Sequence, residues 1–344
     1  MNPQPLITKI VPTFRRPRLL KRALASVLKQ TYPHFQVCVY DNASGDETGE
    51  VVKAFQRNDS RVKYHCHPEN IGMMGNYEYA FKEVQTPYFS VLSDDDLLFP
   101  WFFEEMLKEL EQHPAAAFCA GSAIIMSEKG KVIRVPLDLW PREGCYPPQE
   151  GTLEMISKYP VPMCILFRSS VLQEFPIDKN NALTWDCDFL LQIASRHPIL
   201  IKKRPCGIFL SHEASYSKAQ DYTKWECSYS LLQNRVAANA DLADSIREKA
   251  VQAIELGMRQ TARACIILSL FDKQFKDAAT HSAHFRNRYG MNSTSLSLTV
   301  LSNLCRIFPL MLYALRVLRY LKRLGKKEAQ YAYEEYAAWL KDSS

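Results

Sequence analysis

Along the first hundred residues, short runs of β-branched and aromatic residues alternate with segments whose apolar positions recur every three to four residues. Residues 7–11 read as a strand. Residues 17–29 read as a helix with Pro17 in its first turn, where a missing N–H costs nothing. Residues 36–40 form a second strand, after which Ser44 and Asp46 are placed to cap a helix carrying Val51, Val52 and Phe55. A third, weaker strand at 62–65 precedes a helix around 77–84. The fourth, at 88–92, ends directly at Asp94, Asp95 and Asp96, and a helix over 100–113 follows. Strand–helix units of roughly thirty residues, repeated, predict an α/β fold: a Rossmann-like, mostly parallel sheet with helices on both faces. Ligands of such sheets bind outside the carboxyl ends of the strands. Thr13, Asp41 and Asp94–Asp96 lie at or just past those ends, which places them in one shared site.

The pattern is mixed over 115–217. Residues 115–126 and 131–135 read as strands around a Glu-Lys-Gly turn, 136–148 as a Pro-rich loop, 185–194 as a short helix and 208–210 as a strand. From Tyr222 onward the chain reads as helices, including a long one starting near Asp241. The expected division is a site-bearing domain over 1–217 and a helical carboxyl-terminal region over 218–344.

Composition adds limits. With 344 residues, 47% hydrophobic and 23% charged, the chain can bury a sizeable core. Its ten cysteines are never closer than 19 positions apart. That excludes CxxC motifs and favours reduced core thiols over a disulfide scaffold. The opening Met-Asn-Pro-Gln-Pro has no basic segment leading into an apolar one, so no secretory signal is expected. No apolar run is long enough to span a bilayer. A cytoplasmic setting is the simplest expectation.

The net charge of +6 is unevenly spread. No Asp or Glu occurs over 278–327, which holds Arg286, Arg288, Arg306, Arg316, Arg319, Lys322, Arg323, Lys326 and Lys327. Leu310, Ala314, Val317, Leu321 and Leu324 fall on one helical stripe beside Arg316, Arg319, Arg323 and Lys326. Such a helix either lies on an anionic membrane surface, peripherally at its inner face, or packs on the protein with a solvated basic edge. A homodimer through 296–324 is a third reading.

Three adjacent aspartates repel one another, which raises their pKa values unless a cation shares the charge. An oxygen-only cluster suits Mg²⁺ or Mn²⁺ with phosphates completing the shell. The plainer alternative is a solvated loop capping the next helix. For Asp41 it is a turn-forming residue before Asn42.

At these residues the chain resembles the family 2 glycosyltransferases of the GT-A fold. Val11-Pro12-Thr13-Phe14-Arg15-Arg16-Pro17, with Gln30-Thr31-Tyr32-Pro33, is similar to their first strand, turn and helix. Asp41-Asn42-Ala43-Ser44-Gly45-Asp46 is similar to their second-strand signature, Asn70-Ile71-Gly72 with Asn76 to their third segment, and Leu92-Ser93-Asp94-Asp95-Asp96 to their metal-binding motif. The resemblance implies a nucleoside-diphosphate sugar donor and a glycan or lipid-linked glycan acceptor. It implies that Pro12, Thr13, Arg15, Asp41, Asn70, Asn76, Asp94 and Asp95 contact the donor. Asp96, with Asp94 and His212, would hold Mn²⁺ or Mg²⁺. Trp185-Asp186-Cys187-Asp188 resembles the segment whose second residue is the base, implying Asp186; Trp185 stands where Glu is common. The helix-start alternative for Asp186 is a cap and dipole partner. With one base and no activated nucleophile, a single displacement with inversion follows.

His65-Cys66-His67 reads as surface or loop. Nothing implies a nucleic-acid partner. The rival enzyme, a sugar-nucleotide nucleotidyltransferase, needs a Gly-rich first loop, and residues 12–17 contain no glycine. A processive membrane synthase lacks support without spanning segments. A non-catalytic carbohydrate-binding protein is the alternative from a different class.

Overall fold

The structure, a computed structural model, describes residues 6–212, 222–307, 333 and 335–342. The chain divides into two compact units, one of 1–212, 239–247 and 333–344, the other of 213–238 and 248–332.

The first unit opens β1 (Ile7–Thr13), α1 (Pro17–Leu28), β2 (Phe35–Asp41), α2 (Thr48–Asn58), β3 (Val62–Cys66), α3 (Gly72–Lys82) and β4 (Tyr88–Val91). It continues β5 (Leu97–Leu98), α4 (Phe102–Gln112), β6 (Phe118–Ser127), β7 (Val132–Arg134), β8 (Gly144–Tyr146) and α5 (Glu150–Lys158). It ends β9 (Ile165–Arg168), α6 (Val171–Glu174), α7 (Trp185–Arg196) and β10 (Ile199–Ser211). The strands form a ten-stranded sheet ordered β3-β2-β1-β4-β9-β6-β10-β5, with β7 on β6 and β8 on β10. The expected parallel sheet is its first half: β2 and β4 flank β1 and β3 flanks β2, all parallel. The second half is mixed. β6 and β10 run parallel, while β9 joins β4 and β6 antiparallel and β5 runs against β10.

The Pro-rich stretch at 136–148 is not all loop. It contains β8, which exists because Gly144–Tyr146 finds Ile199–Ile201 as a partner. β10 extends well beyond 208–210, through Lys202-Lys203-Arg204-Pro205, with register shifts on either side of Pro205. A charged run ending in proline reads as a loop locally; pairing with β6 makes it strand. Gly207 is required there, since a Cβ would lie 2.5 Å from the Leu97 carbonyl oxygen and 2.7 Å from Met163 Cε.

Alternation along β1 sends Ile7, Lys9, Val11 and Thr13 to one face. Ile7 and Val11 pack there with Leu20, Leu24 and Val27 of α1 and Phe102, Phe103 and Met106 of α4. α1 grips the chain just past the aspartates. Ser26 Oγ accepts the Leu98 N–H (3.1 Å), Gln30 Nε2 donates to the Phe99 carbonyl (2.7 Å), and Gln30 Oε1 accepts the Phe103 N–H (3.0 Å). On Phe99 also rest Tyr336 and Trp339, ring centroids 5.0 and 5.2 Å away, while the Tyr333 hydroxyl donates to Asp138. All ten cysteines are free thiols.

The second unit is helical: α8 (Tyr222–Ala237), most of α9 (Asp244–Phe271), α10 (Phe275–Tyr289) and α11 (Ser293–Ile307). Tyr222, Ala262, Ile266, Phe285 and Leu298 are buried together in it. The basic stripe expected at Arg316, Arg319, Arg323 and Lys326 lies outside the described residues. Among the described residues no helix is long and apolar enough to cross a membrane.

Candidate active site

At the carboxyl ends of β1, β2 and β4 two clusters of polar side chains form. The first is built on Asp41, the last residue of β2 and 2% exposed. Its Oδ1 accepts the Ser44 N–H (2.9 Å) and hydroxyl (2.6 Å), and its Oδ2 accepts the Tyr64 hydroxyl (2.7 Å). Arg15 closes the same turn, its N–H donating to Ser44 Oγ (2.8 Å) and its Nε to the Ser44 carbonyl (3.1 Å). Arg15 and Ala43 have φ of 54° and 59°, backbone that non-glycine residues adopt only where neighbours hold it. Phe14, 38% exposed, lies at the mouth of this turn with the Arg15 guanidinium 4.9 Å from its ring centroid. Pro12 pairs in register with Tyr40 and brings no N–H.

Asn70 accepts from Asn42 Nδ2 and from the Gly72 N–H (2.9 Å each), holding the entry to α3. Asn76 is bonded at both ends inside the protein, to the Tyr40 carbonyl (2.9 Å) and His67 Nε2 (2.9 Å). Its observed work is to tie α3 to β2 and the end of β3. His65 and His67 are not bare surface: both pack on Tyr79, at 4.6 and 4.8 Å, and His67 is buried.

The second cluster is the acidic run, and all three aspartates are buried. Asp94 Oδ2 accepts the Thr13 hydroxyl (2.7 Å) and its Oδ1 an Arg16 N–H (3.2 Å). Asp95 Oδ2 takes Arg16 (3.0 Å) and His212 Nε2 (2.8 Å). Asp96 Oδ1 accepts the Leu210 N–H (2.9 Å), fastening the run to β10. Burial and then the Asp95 charge push Asp94 up to about 6, against the pull of Arg16 and Thr13. The same two causes hold Asp96 well above the ordinary carboxylate range. The structure therefore brings Thr13, Asp94, Asp95, Asp96 and His212 together. It adds Arg16, which the sequence reading passed over in favour of Arg15. The missing signal was direction: Arg15 turns to the β2 turn, Arg16 to the run.

Asp186 sits in the first turn of α7, partly buried, and accepts the Cys187 N–H (2.8 Å). Phe81, Phe89, Phe167, Trp185 and Phe189 line a small cavity beside it. Burial pushes its carboxyl up to about 6. Among the described residues no cation is paired with it. Trp185 packs on Tyr77 (4.6 Å), linking the two parts of the site. The buried Tyr77 phenol is held well above its usual range by burial, then by Asp186, then by the three aspartates of the run.

Among the described residues no three or more His, Cys, Asp or Glu side chains gather into a cluster able to hold a metal alone. One observation nonetheless fits a divalent cation: among the described residues the buried Asp96 Oδ2 has no hydrogen-bond partner, in a run with a surplus of negative charge. Mg²⁺-type sites commonly use one or two carboxylates and take the rest of their shell from substrate phosphates and water.

The fold is that of the GT-A glycosyltransferases. TarS 1–349 of S. aureus, solved with UDP-GlcNAc, superposes over 93% of this chain and 92% of its own at a TM-score of 0.64 and 17% identity. A Pyrobaculum calidifontis mannosyltransferase, solved with GDP-Man and Mn²⁺, covers 95% and 89% at 0.53 and 16%. Residues 8–175 match the family model described as Glycosyl transferase family 2. An uncharacterized glycosyltransferase of Methanocaldococcus jannaschii is 21% identical over 55% of this chain and 64% of its own length. A GalNAc(5)-diNAcBac-PP-undecaprenol beta-1,3-glucosyltransferase of Campylobacter jejuni is 30% identical over 36% and 40%. The chain thus spans less than two thirds of both of these curated relatives.

Proposed function

We propose that this protein is a metal-dependent, inverting glycosyltransferase moving a sugar from a nucleoside-diphosphate sugar to a hydroxyl of a glycan or lipid-linked glycan. The observation that carries the reading is the pairing, across Tyr77, of a charge-surplus acidic run with a lone carboxyl raised by burial. In this reading residues 1–217 are the catalytic domain. Thr13, Asp41, Asp94 and Asp95 line the donor, with Pro12 and Arg15 shaping the turns and Asn70 and Asn76 bracing them. Asp96, with Asp94 and His212, would hold Mn²⁺ or Mg²⁺. When bound, that ion neutralises charge developing on the diphosphate leaving group. Asp186 takes the proton of the acceptor hydroxyl while its oxygen forms the new bond to the anomeric carbon. The bond to the diphosphate oxygen breaks in the same displacement, and the diphosphate leaves with the electron pair. The aromatic wall around Asp186 excludes water and keeps its basicity matched to that task.

A panel of nucleotide sugars with Mn²⁺ or Mg²⁺, scored by release of nucleoside diphosphate, tests this directly. Turnover that survives both chelation and Asp96→Ala refutes the assignment. Binding of sugar without any metal-stimulated release would favour a carbohydrate-binding protein, and pyrophosphate release a nucleotidyltransferase. We also carry a cytoplasmic placement at the inner membrane face, and a homodimer through 296–324, into test. Sedimentation with and without anionic liposomes reads the first, and sedimentation equilibrium the second.

A further inference from the structure

Past the acidic run the chain forms β5 (Leu97–Leu98), two residues long and at the edge of the sheet. So short an edge strand holds its place only through what covers it. Leu98 points into the core under α1, where Ser26 Oγ accepts its N–H (3.1 Å). Leu97 and Phe99 point the other way and are buried with Ile124 and Met126 of β6 and Ile208 of β10. On that second face rests a segment from the far end of the sequence, closing in α12 (Trp339–Asp342). Tyr336, Ala337, Trp339 and Leu340 turn inward while Glu335 and Ala338 stay exposed, a helical spacing. Tyr336 and Trp339 stand against the Phe99 ring, and Trp339 meets Trp101 edge-on, centroids 6.4 Å apart. Trp101 is itself tied to the Pro205 carbonyl of β10 (2.8 Å). The Tyr333 hydroxyl anchors the segment on Asp138. The turn between β6 and β7 comes so close that a Cβ on Gly130 would lie 3.0 Å from Ala337 Cβ.

The strand this segment covers carries the run. Asp96 directly precedes Leu97, Leu97 and Leu98 pair with Ile208 and Gly207, and the Phe99 N–H donates to the Cys206 carbonyl (2.8 Å). Further along β10 the Leu210 N–H holds Asp96 Oδ1, and just past its end His212 holds Asp95. The pairing of β5 on β10 is thus the frame for Asp95, Asp96 and His212 alike. We propose that Trp339, with Tyr336, is a positioning residue of the acidic run: by pressing Leu97 and Phe99 onto β10 it fixes where Asp96 presents its carboxylate. The inference rests on reading the run as the metal and diphosphate end of a donor site. Such coupling is reciprocal, so an ion held by the run tightens the segment as much as the segment tightens the ion. A segment that served only the fold would change stability and leave affinity at the run alone.

The test is Trp339→Ala, with Trp339→Phe as the conservative variant, in the full chain and well below the melting transition. Mn²⁺ alone, followed by its electron paramagnetic resonance, is expected to bind Trp339→Ala about tenfold more weakly and Trp339→Phe nearly as wild type. Without metal, hydrogen exchange of the Leu210 amide that holds Asp96 is expected to quicken about tenfold in Trp339→Ala, with the amides of β2 unchanged. Unchanged Mn²⁺ affinity in a folded Trp339→Ala, or quickening spread evenly over the sheet, would overturn the proposal. Should Trp339→Ala fail to fold, the wild-type protein decides: Mn²⁺ is expected to slow exchange over 335–340, and no slowing refutes the coupling. A wild-type protein that takes up no Mn²⁺ overturns the metal-site reading instead, and the Leu210 amide then decides Trp339.

Discussion

The acidic run and Asp186 both carry carboxyls raised above their ordinary range, yet the surroundings that raise them differ. Asp94 and Asp96 are raised by burial and by the neighbouring Asp95, with Arg16, Thr13 and Lys9 pulling back. Asp186 is raised by burial among aromatic rings, with only local N–H groups opposing it. In the function proposed above, the first setting, with surplus charge and an oxygen that has no partner among the described residues, suits a cation, and the second, a single carboxyl near 6, suits a proton.

Breaking the Asp186 side has the largest expected effect. Asp186→Asn should lower turnover by about 10²–10⁴-fold, the usual contribution of a positioned base, while nucleotide binding persists. Breaking the other side, Asp96→Asn should remove the response to Mn²⁺ and leave residual binding of the nucleotide, measured by titration with and without chelator. Arg16→Met should raise the donor KM about tenfold with a smaller change in kcat, since it strips the direct counter-charge from Asp94 and Asp95.

The pH dependence sharpens the contrast further. Asp186 is protonated below about 6, so kcat/KM should fall on the acid side of that value. Its folded carboxyl binds a proton that the unfolded one, near 3.8, releases. The penalty on stability is therefore absent at pH 3 and complete above pH 6. Asp186→Asn should consequently melt at the same or a higher temperature than wild type at pH 8, and that advantage should vanish near pH 4. The smallest effect belongs to the Asp41 turn. Tyr64→Phe removes one hydrogen bond, about 0.5–1.5 kcal/mol of stability by denaturant melts, with little change in kcat.

Much of this cleft was legible in the sequence because its parts sit at strand ends, where local pattern and position coincide. Thr13 ending β1 and the aspartates following β4 could be brought to one edge by a parallel sheet alone, and the Thr13–Asp94 hydrogen bond is the result. Arg16 was missed because Arg15 and Arg16 are identical in type, and only the positive φ at Arg15 turns them apart. Lys9, inside an apolar strand, looks like a solvent-facing position until α1 and α4 cover its face. The strands at 144–146 and 202–205 were missed because each exists only through its partner.

By itself, then, the sequence determined the strand–helix alternation, the parallel character of the β1–β4 half-sheet and the residues at its carboxyl edge. These follow from periodicity and steric preference within a few residues of chain. The tertiary structure alone decided which arginine meets the aspartates, that Lys9 is buried, and that Trp185, beside Asp186, packs on Tyr77. Those are relations between groups 78 and more residues apart, set by packing and by the low dielectric that packing creates.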